Sequence, residues 1–152
     1  MSNVETGTIE YMTMVIDGQL FGLPINRVQD VFKPENMTKV PLANREIVGV
    51  LNLRGRIVTA IDMRRRLDLP DREPDQPFMS VGIECKNESY GLLIDKVGEV
   101  LRLKVSDLEP NPANLEPHWS EVSSGVYRLE GQLLVVLDVD RVLDLSSDPL
   151  AA

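Results

Sequence analysis

Apolar and polar positions alternate from Tyr11 to Ile16, with Met12, Met14 and Ile16 on one side and Tyr11, Thr13 and Val15 on the other. Asp17-Gly18 then supplies a turn signal and Leu20, Phe21 and Leu23 resume the apolar run, so this stretch predicts a β-hairpin. After Pro24 the spacing changes: Ile25, Val28 and Val31 fall three apart, which predicts a short helical turn opened by the proline. A second hairpin is predicted from Ile47 to Leu53 and from Arg56 to Met63, reversing around Arg54-Gly55, where glycine meets a positive φ at least cost. Val81-Gly82-Ile83-Glu84-Cys85 alternates as a further strand.

The pattern then returns. Phe21-Gly22-Leu23-Pro24-Ile25-Asn26-Arg27-Val28-Gln29-Asp30-Val31 reappears 69 residues later as Tyr90-Gly91-Leu92-Leu93-Ile94-Asp95-Lys96-Val97-Gly98-Glu99-Val100, with five identities in eleven and four conservative exchanges. Ile94, Val97 and Val100 repeat the helical-turn spacing, and Asn26 and Asp95 offer the short polar side chain that suits a helix start. Val50 to Asp62, running on to Leu67-Asp68-Leu69, aligns with Val126 to Asp138 and Leu143-Asp144-Leu145 at an offset of 76. The second member is again a hairpin, Val126 to Leu129 and Gln132 to Val139, around Glu130-Gly131. Two blocks in the same order imply two copies of one folding unit, the second longer by seven residues between its blocks.

A solenoid needs about three or more repeats, so two copies imply a pseudo-symmetric pair. Four or five short strands per half with few helices describe a small barrel, and the expected fold class is mainly β. The expected subdomains are about 10–70 and about 78–145, joined by the polar, proline-containing linker Asp71 to Pro77. Pro110 to Pro117 is expected as an extended surface loop, and residues 1–9 and 146–152 as flexible termini. Units this small bury only about 60% of their unfolded surface, so the halves are expected to pack together and fold cooperatively.

Composition narrows the function. A net charge of −8 argues against nucleic-acid binding, which needs a basic face to displace counterions from phosphates. The charge is uneven: residues 1–70 carry nine Lys/Arg and eight Asp/Glu, residues 71–152 seven and sixteen. Near-duplicate folds with different fields are suited to different partners, or to docking head to tail. One cysteine, Cys85, makes no internal disulfide and fits a reduced, cytoplasmic protein. No apolar stretch approaches the roughly 20 residues needed to span a membrane, and no basic segment precedes an apolar core at the N-terminus, so neither membrane insertion nor a signal peptide is expected.

Little in the chain suggests catalysis. It has no glycine-rich phosphate loop and no Gly-x-Ser-x-Gly, and one His with one Cys cannot assemble a zinc site. No cofactor is expected. His118-Trp119, in the loop after Pro117, reads as an aromatic anchor for that loop before a catalytic histidine, and Ser123-Ser124 has no other base. Asp62 and Asp138 occupy equivalent positions, as a paired-carboxylate hydrolase requires, but Asp68 and Asp144 are paired equally well and neither Asp62 nor Asp138 precedes the small turn that would join them. Arg64-Arg65-Arg66 reads as a solvated face. The Val28/Val31 and Val97/Val100 pairs read as core, with part of the stripe left over as a binding groove. Arg54 at a hairpin tip is either an ordinary exposed turn residue or a guanidinium projected for bidentate contact with a partner carboxylate.

Phe21-Gly22-Leu23 through Val28-Gln29-Asp30-Val31, Gly49 to Val58 with its Asn52-Leu53-Arg54-Gly55 turn, Asp62-Met63-Arg64, and Tyr90 to Val97 with Val100 together resemble the CheW family of bacterial chemotaxis coupling proteins. The resemblance covers roughly residues 10–145 in family order. It implies two five-stranded SH3-like β-barrels around a shared apolar interface and a non-catalytic adaptor. The implied partners are the regulatory domain of a CheA-like histidine kinase and the cytoplasmic tips of chemoreceptors, with receptor helices in the groove between barrels and kinase at the barrel ends. It also implies self-association in rings and recruitment to membrane-associated arrays. Carried over by motif, Val28 and Asp30 fall on receptor-associated positions, with Val31 on the same stripe and Asp30 standing where the family often has Glu. Met79, Gly91 and Val100 fall on positions linked to receptor coupling, and Arg54 on the family's functional arginine. A CheV-like or kinase-borne module would need a further domain, for which 152 residues leave no room, and a paralogue serving another array is the remaining adaptor alternative.

Overall fold

The alternating segments become strands in the computed structural model, which describes residues 7–40 and 44–144. Among the described residues the strands are β1 (Thr8–Ile16), β2 (Gln19–Pro24), β3 (Val28–Phe32), β4 (Ile47–Leu53), β5 (Arg56–Asp62), β6 (Met79–Cys85), β7 (Glu88–Ile94), β8 (Lys96–Lys104), β9 (Ser123–Leu129) and β10 (Gln132–Leu137). Among the same residues short α-helices accompany them: α1 (Met63–Arg66), α2 (Pro117–Val122) and α3 (Val139–Val142). Of the expected flexible termini, residues 1–6 and 146–152 lie outside the described residues, whereas Thr8 and Ile9 already belong to β1.

Two five-stranded sheets form, in the orders β8-β1-β2-β10-β9 and β3-β6-β7-β5-β4. Replacing each strand by its equivalent in the other copy converts the first order into the second, so the sequence repeat is a structural pseudo-two-fold. In each sheet one pair is parallel, β2 with β10 and β5 with β7, and the other pairings are antiparallel. The sheets are not the sequence halves. Hairpin β1–β2 of the first copy joins β8, β9 and β10 of the second, and hairpin β6–β7 joins β3, β4 and β5 of the first. Each sheet draws strands from both sides of the 71–77 linker.

The crossing point explains the exchange. The helical turn expected at Ile25, Val28 and Val31 is a three-residue 3-10 turn, Ile25–Arg27, that steps the chain from one sheet to the other. Val28 and Val31 then lie on β3, which pairs with β6 as Val28 with Ile83, Asp30 with Gly82 and Val31 with Val81, a bulge falling between Val28 and Asp30. In the second copy a single residue, Asp95, makes the crossing. Neither Asn26 nor Asp95 caps a helix; Pro24 opens the 3-10 turn without a side-chain bond.

Period-two alternation distributes the core. Along β10, Leu134 and Val136 join Tyr11 and Tyr127 within the first sheet, while Val135 and Leu137 enter a larger cluster with Phe21, Leu23, Leu92 and Ile94 that both sheets share. Leu93, between Leu92 and Ile94, points instead to Leu51, Val58 and Ala60 within the second sheet. The unbroken apolar run Leu133 to Leu137 therefore reflects burial on both faces. Full burial of each such side chain is worth about 1.5–3 kcal/mol before entropy is counted. The sheets curl: Thr38, beyond edge strand β3, exchanges backbone bonds of 2.8 Å with Val50 on the opposite edge, and Glu109, beyond β8, does the same with Val126 at 2.8 and 2.9 Å.

The segment after Pro117 is helical rather than loop. Trp119 fastens α2 to the core, packing edge-to-face on Phe21 at 5.3 Å and donating from Nε1 to the Leu67 carbonyl at 3.0 Å. Asp62 and Asp138 are equivalent helix N-caps, accepting from the backbone N–H of Arg64 at 2.9 Å and of Arg141 at 3.2 Å, which accounts for their symmetry without acid-base chemistry.

Candidate partner-binding site

Arg54 and Gly55 occupy the β4–β5 turn with φ of 52° and 85°, the left-handed pair of a type I′ reversal that suits the twist of the flanking strands. A non-glycine residue is uncommon there, and Asn52 stabilises the turn by accepting from the Gly55 N–H at 2.9 Å. The Arg54 side chain is 75% exposed, and its Nη1 lies 3.4 Å from Asp30 Oδ2 on β3. An ion pair this exposed adds about 0–1 kcal/mol of stability, so its consequence is positional.

Asp30 is seated by what faces it. Its Oδ1 is buried without a hydrogen-bond partner, against Gly82 on β6, where a Cβ would overlap the carboxylate. Gly82→Ala is therefore expected to push Asp30 off its seat and away from Arg54, costing about 1–3 kcal/mol in urea unfolding as an overpacked site does. Next to this pair, Arg56 Nη1 donates to Gln29 Oε1 at 3.5 Å and Gln29 Nε2 to Glu84 Oε1 at 2.7 Å, tying the hairpin to the outer side of β3 and β6.

Two of the residues singled out in the sequence, Asp30 and Arg54, thus meet, although 24 positions separate them. Val28, on the same strand, packs against the shared core, and Val31 is 38% exposed. Val100, its equivalent in the second copy, is 51% exposed on β8 of the other sheet. Met79 begins β6 and lines a cleft of about 920 Å3 with Val15, Phe78, Lys33 and Lys96. Gly91 is buried in β7 among Ser80, Val58 and Phe32, so it reaches a partner only through packing.

The strongest electrostatic feature went unread in the sequence. Arg64 meets Asp95 in two parallel bonds, Nε to Oδ1 at 3.0 Å and Nη2 to Oδ2 at 2.6 Å, with side chains only 7% and 9% exposed. Arg72 adds Nε to Oδ1 at 3.2 Å, the Asp17 N–H donates to Oδ2 at 2.7 Å, and Arg64 Nη1 reaches the Pro70 carbonyl at 3.0 Å. Burial pushes the Asp95 carboxyl upward, but the Arg64 bond, the Asp17 amide and the two guanidinium charges outweigh it and hold the carboxyl below its ordinary value. The expected solvated face at Arg64 to Arg66 is corrected: Arg64 is buried, and Arg66 donates to the Val142 and Arg141 carbonyls at 2.9 Å each, closing the end of α3. Three consecutive side chains point different ways, and two of them are held by acceptors within the fold. The position equivalent to Arg64 is Asp140, which approaches Arg27 at 3.7 Å, so the pseudo-symmetry inverts the charge.

Charge divides by sheet as well as by half. Residues 25–95, which build the second sheet, carry eleven Lys/Arg and eleven Asp/Glu, whereas 7–24 with 96–144 carry five and eleven.

His118 is exposed and bonded through Nδ1 to Glu116 Oε2 at 3.0 Å, with Asp68 at 3.8 Å. The Glu116 bond raises its pKa above the ordinary value, against the opposing effect of burial. Its pairing therefore stabilises the fold below about pH 6.5, the unfolded value, and is lost as pH rises through the higher folded value. An NMR titration of the ring should place His118 above the free-histidine midpoint, and Glu116→Gln should bring it back down. Ser123 is held by Asn111 and Gly125 rather than by His118. Among the described residues no helix is long and apolar enough to cross a membrane.

Two interleaved β-sheets share one core, and an arginine stands on a tight turn beside a seated carboxylate. The chain belongs to the CheW-like domain family, which matches residues 10–147. It is 26% identical over 150 residues to the chemotaxis protein CheW of Bacillus subtilis (strain 168), covering 99% of this chain and 96% of that one. The Thermotoga maritima chemotaxis protein CheW is 27% identical over 135 residues, with 89% and 87% covered. Among solved structures, the scaffolding protein TtCheW from Thermoanaerobacter tengcongensis superposes with a TM-score of 0.82 at 23% identity, covering 92% of this chain and 95% of that one. The chain is accordingly a chemotaxis adaptor of the non-catalytic kind.

Proposed function

We propose that this adaptor couples the cytoplasmic tips of chemoreceptors to the regulatory domain of a CheA-like histidine kinase, within arrays beneath the membrane. The observation that carries the reading is the Arg54–Asp30 contact: a guanidinium three-quarters exposed, aimed by a turn and steadied by a carboxylate on the strand that also holds Val28 and Val31. Arg54 offers its remaining N–H donors to a carboxylate of a partner. Val31, Val100 and Met79 supply apolar contact for a receptor helix, Val28 and Gly91 support the sheet from within, and Asp30 contributes its carboxylate beside Arg54. The neutral second sheet and the acidic first one suit heterologous contacts, including those of a ring.

Titration of Arg54→Ala against a CheA regulatory domain and a receptor-tip fragment tests this. Loss of a charge-assisted bond is expected to weaken binding to one of them by about 1–3 kcal/mol. Unchanged affinity for both removes Arg54 from the site.

A further inference from the structure

We propose that Asn52 is a positioning residue for Arg54. The second copy supplies an internal control. There the position equivalent to Asn52 is Arg128, whose Nε donates to Glu109 Oε1 at 2.9 Å instead of serving the turn. Of Glu130 and Gly131, only Gly131 is left-handed, with φ 79°. In the first copy Asn52 Oδ1 accepts from the Gly55 N–H, and both Arg54 and Gly55 are left-handed. The two hairpins share a fold and a length and differ at the residue that can reach back to the turn amide; Asp17-Gly18 and Lys86-Asn87 are left-handed pairs as well, after Val15 and Glu84, so Asn52 holds a turn form that the hairpin can adopt without it. A left-handed arginine is disfavoured on steric grounds, and the side-chain bond offsets that penalty. From this turn the Arg54 guanidinium reaches Asp30 on the opposite edge of the curled sheet and stays three-quarters exposed.

The inference rests on the reading of Arg54 as a partner contact, and the test separates the two. Amide hydrogen exchange at Gly55 is measured in wild type, Asn52→Ala and Asn52→Asp, together with affinity for a CheA regulatory domain in a double-mutant cycle with Arg54→Ala. Asn52→Ala is expected to speed Gly55 exchange and to weaken binding about 3–10-fold, the worth of one hydrogen bond. Asn52→Asp, which keeps the acceptor, should restore both. Added to Arg54→Ala, Asn52→Ala should weaken binding no further. Unchanged Gly55 exchange, or an equal loss of binding with and without Arg54, overturns the positioning role. If exchange rises but Arg54→Ala binds as wild type does, the positioning stands and the partner reading falls.

Discussion

Cut within the linker 71–77, the chain is expected to yield two fragments that are unfolded apart and folded together. The N-terminal piece would hold β1 to β5, which in the intact protein are shared between both sheets. Alone it keeps two hairpins, β1–β2 and β4–β5, while β3 loses its sheet neighbour β6, and β5 loses β7. The C-terminal piece is the mirror case: β8 is stranded without β1, and β10 without β2. Isolated hairpins are marginal in water, and the shared cluster that joins Phe21 and Leu23 to Leu92, Ile94 and Val135 would be split between the fragments. The loss is that of the whole fold, about 5–15 kcal/mol for a domain of this kind. Circular dichroism and amide NMR of each fragment, alone and after mixing, would read the result. A native-like spectrum from either fragment by itself would sink the strand exchange.

Arg64→Ala should be the most damaging single substitution outside the apolar core. It removes two of the bonds on a carboxylate that is nine-tenths buried, leaving Asp95 to Arg72 and the Asp17 amide. Deleting one partner of a buried pair costs about 3–5 kcal/mol where the remaining charge is left uncompensated, and with Arg72 and the Asp17 amide still on Asp95 the loss is expected toward the lower end of that range. The pH dependence fixes the cause. Asp95 has a folded pKa below its unfolded value, so its contribution is present above about pH 4 and is lost as pH falls through the lower folded value. The gap in urea midpoint between wild type and Arg64→Ala should be widest near neutrality and close in acid below pH 4. A gap that stays constant to low pH would assign the effect to lost packing instead.

These two outcomes bear on why the sequence was a good guide to one level of the molecule and a poor one to another. Strands, turns and the doubling of the unit were all legible, since alternation at Met12, Met14 and Ile16 or glycine at Gly55 and Gly131 reports local backbone geometry. The three-residue spacing of Val28 and Val31 misled, because a bulge at Gln29 shifts the strand's register and mimics a helical step. The contact between Asp30 and Arg54 was half legible: each residue was marked by its motif, but only the curling of the sheet brings one edge to the other. Arg64 stood in a motif, but nothing in it marked burial or a partner, since a charged residue within Arg64-Arg65-Arg66 looks solvated until Asp95 arrives from the other copy.

By itself, then, the chain's sequence determined that there are two equivalent units, where each reverses, and that the Arg54 turn differs from its counterpart. Which hairpin joins which sheet was a matter for the tertiary structure. The two copies present the same alternation, so either could satisfy a strand's apolar face. In the exchanged arrangement the chain passes between sheets at Ile25–Arg27 and at Asp95, and Asp95 is gripped there by Arg64 and Arg72. Pairing partners and buried charges are properties of residues far apart in sequence, and local pattern holds no record of the distance between them.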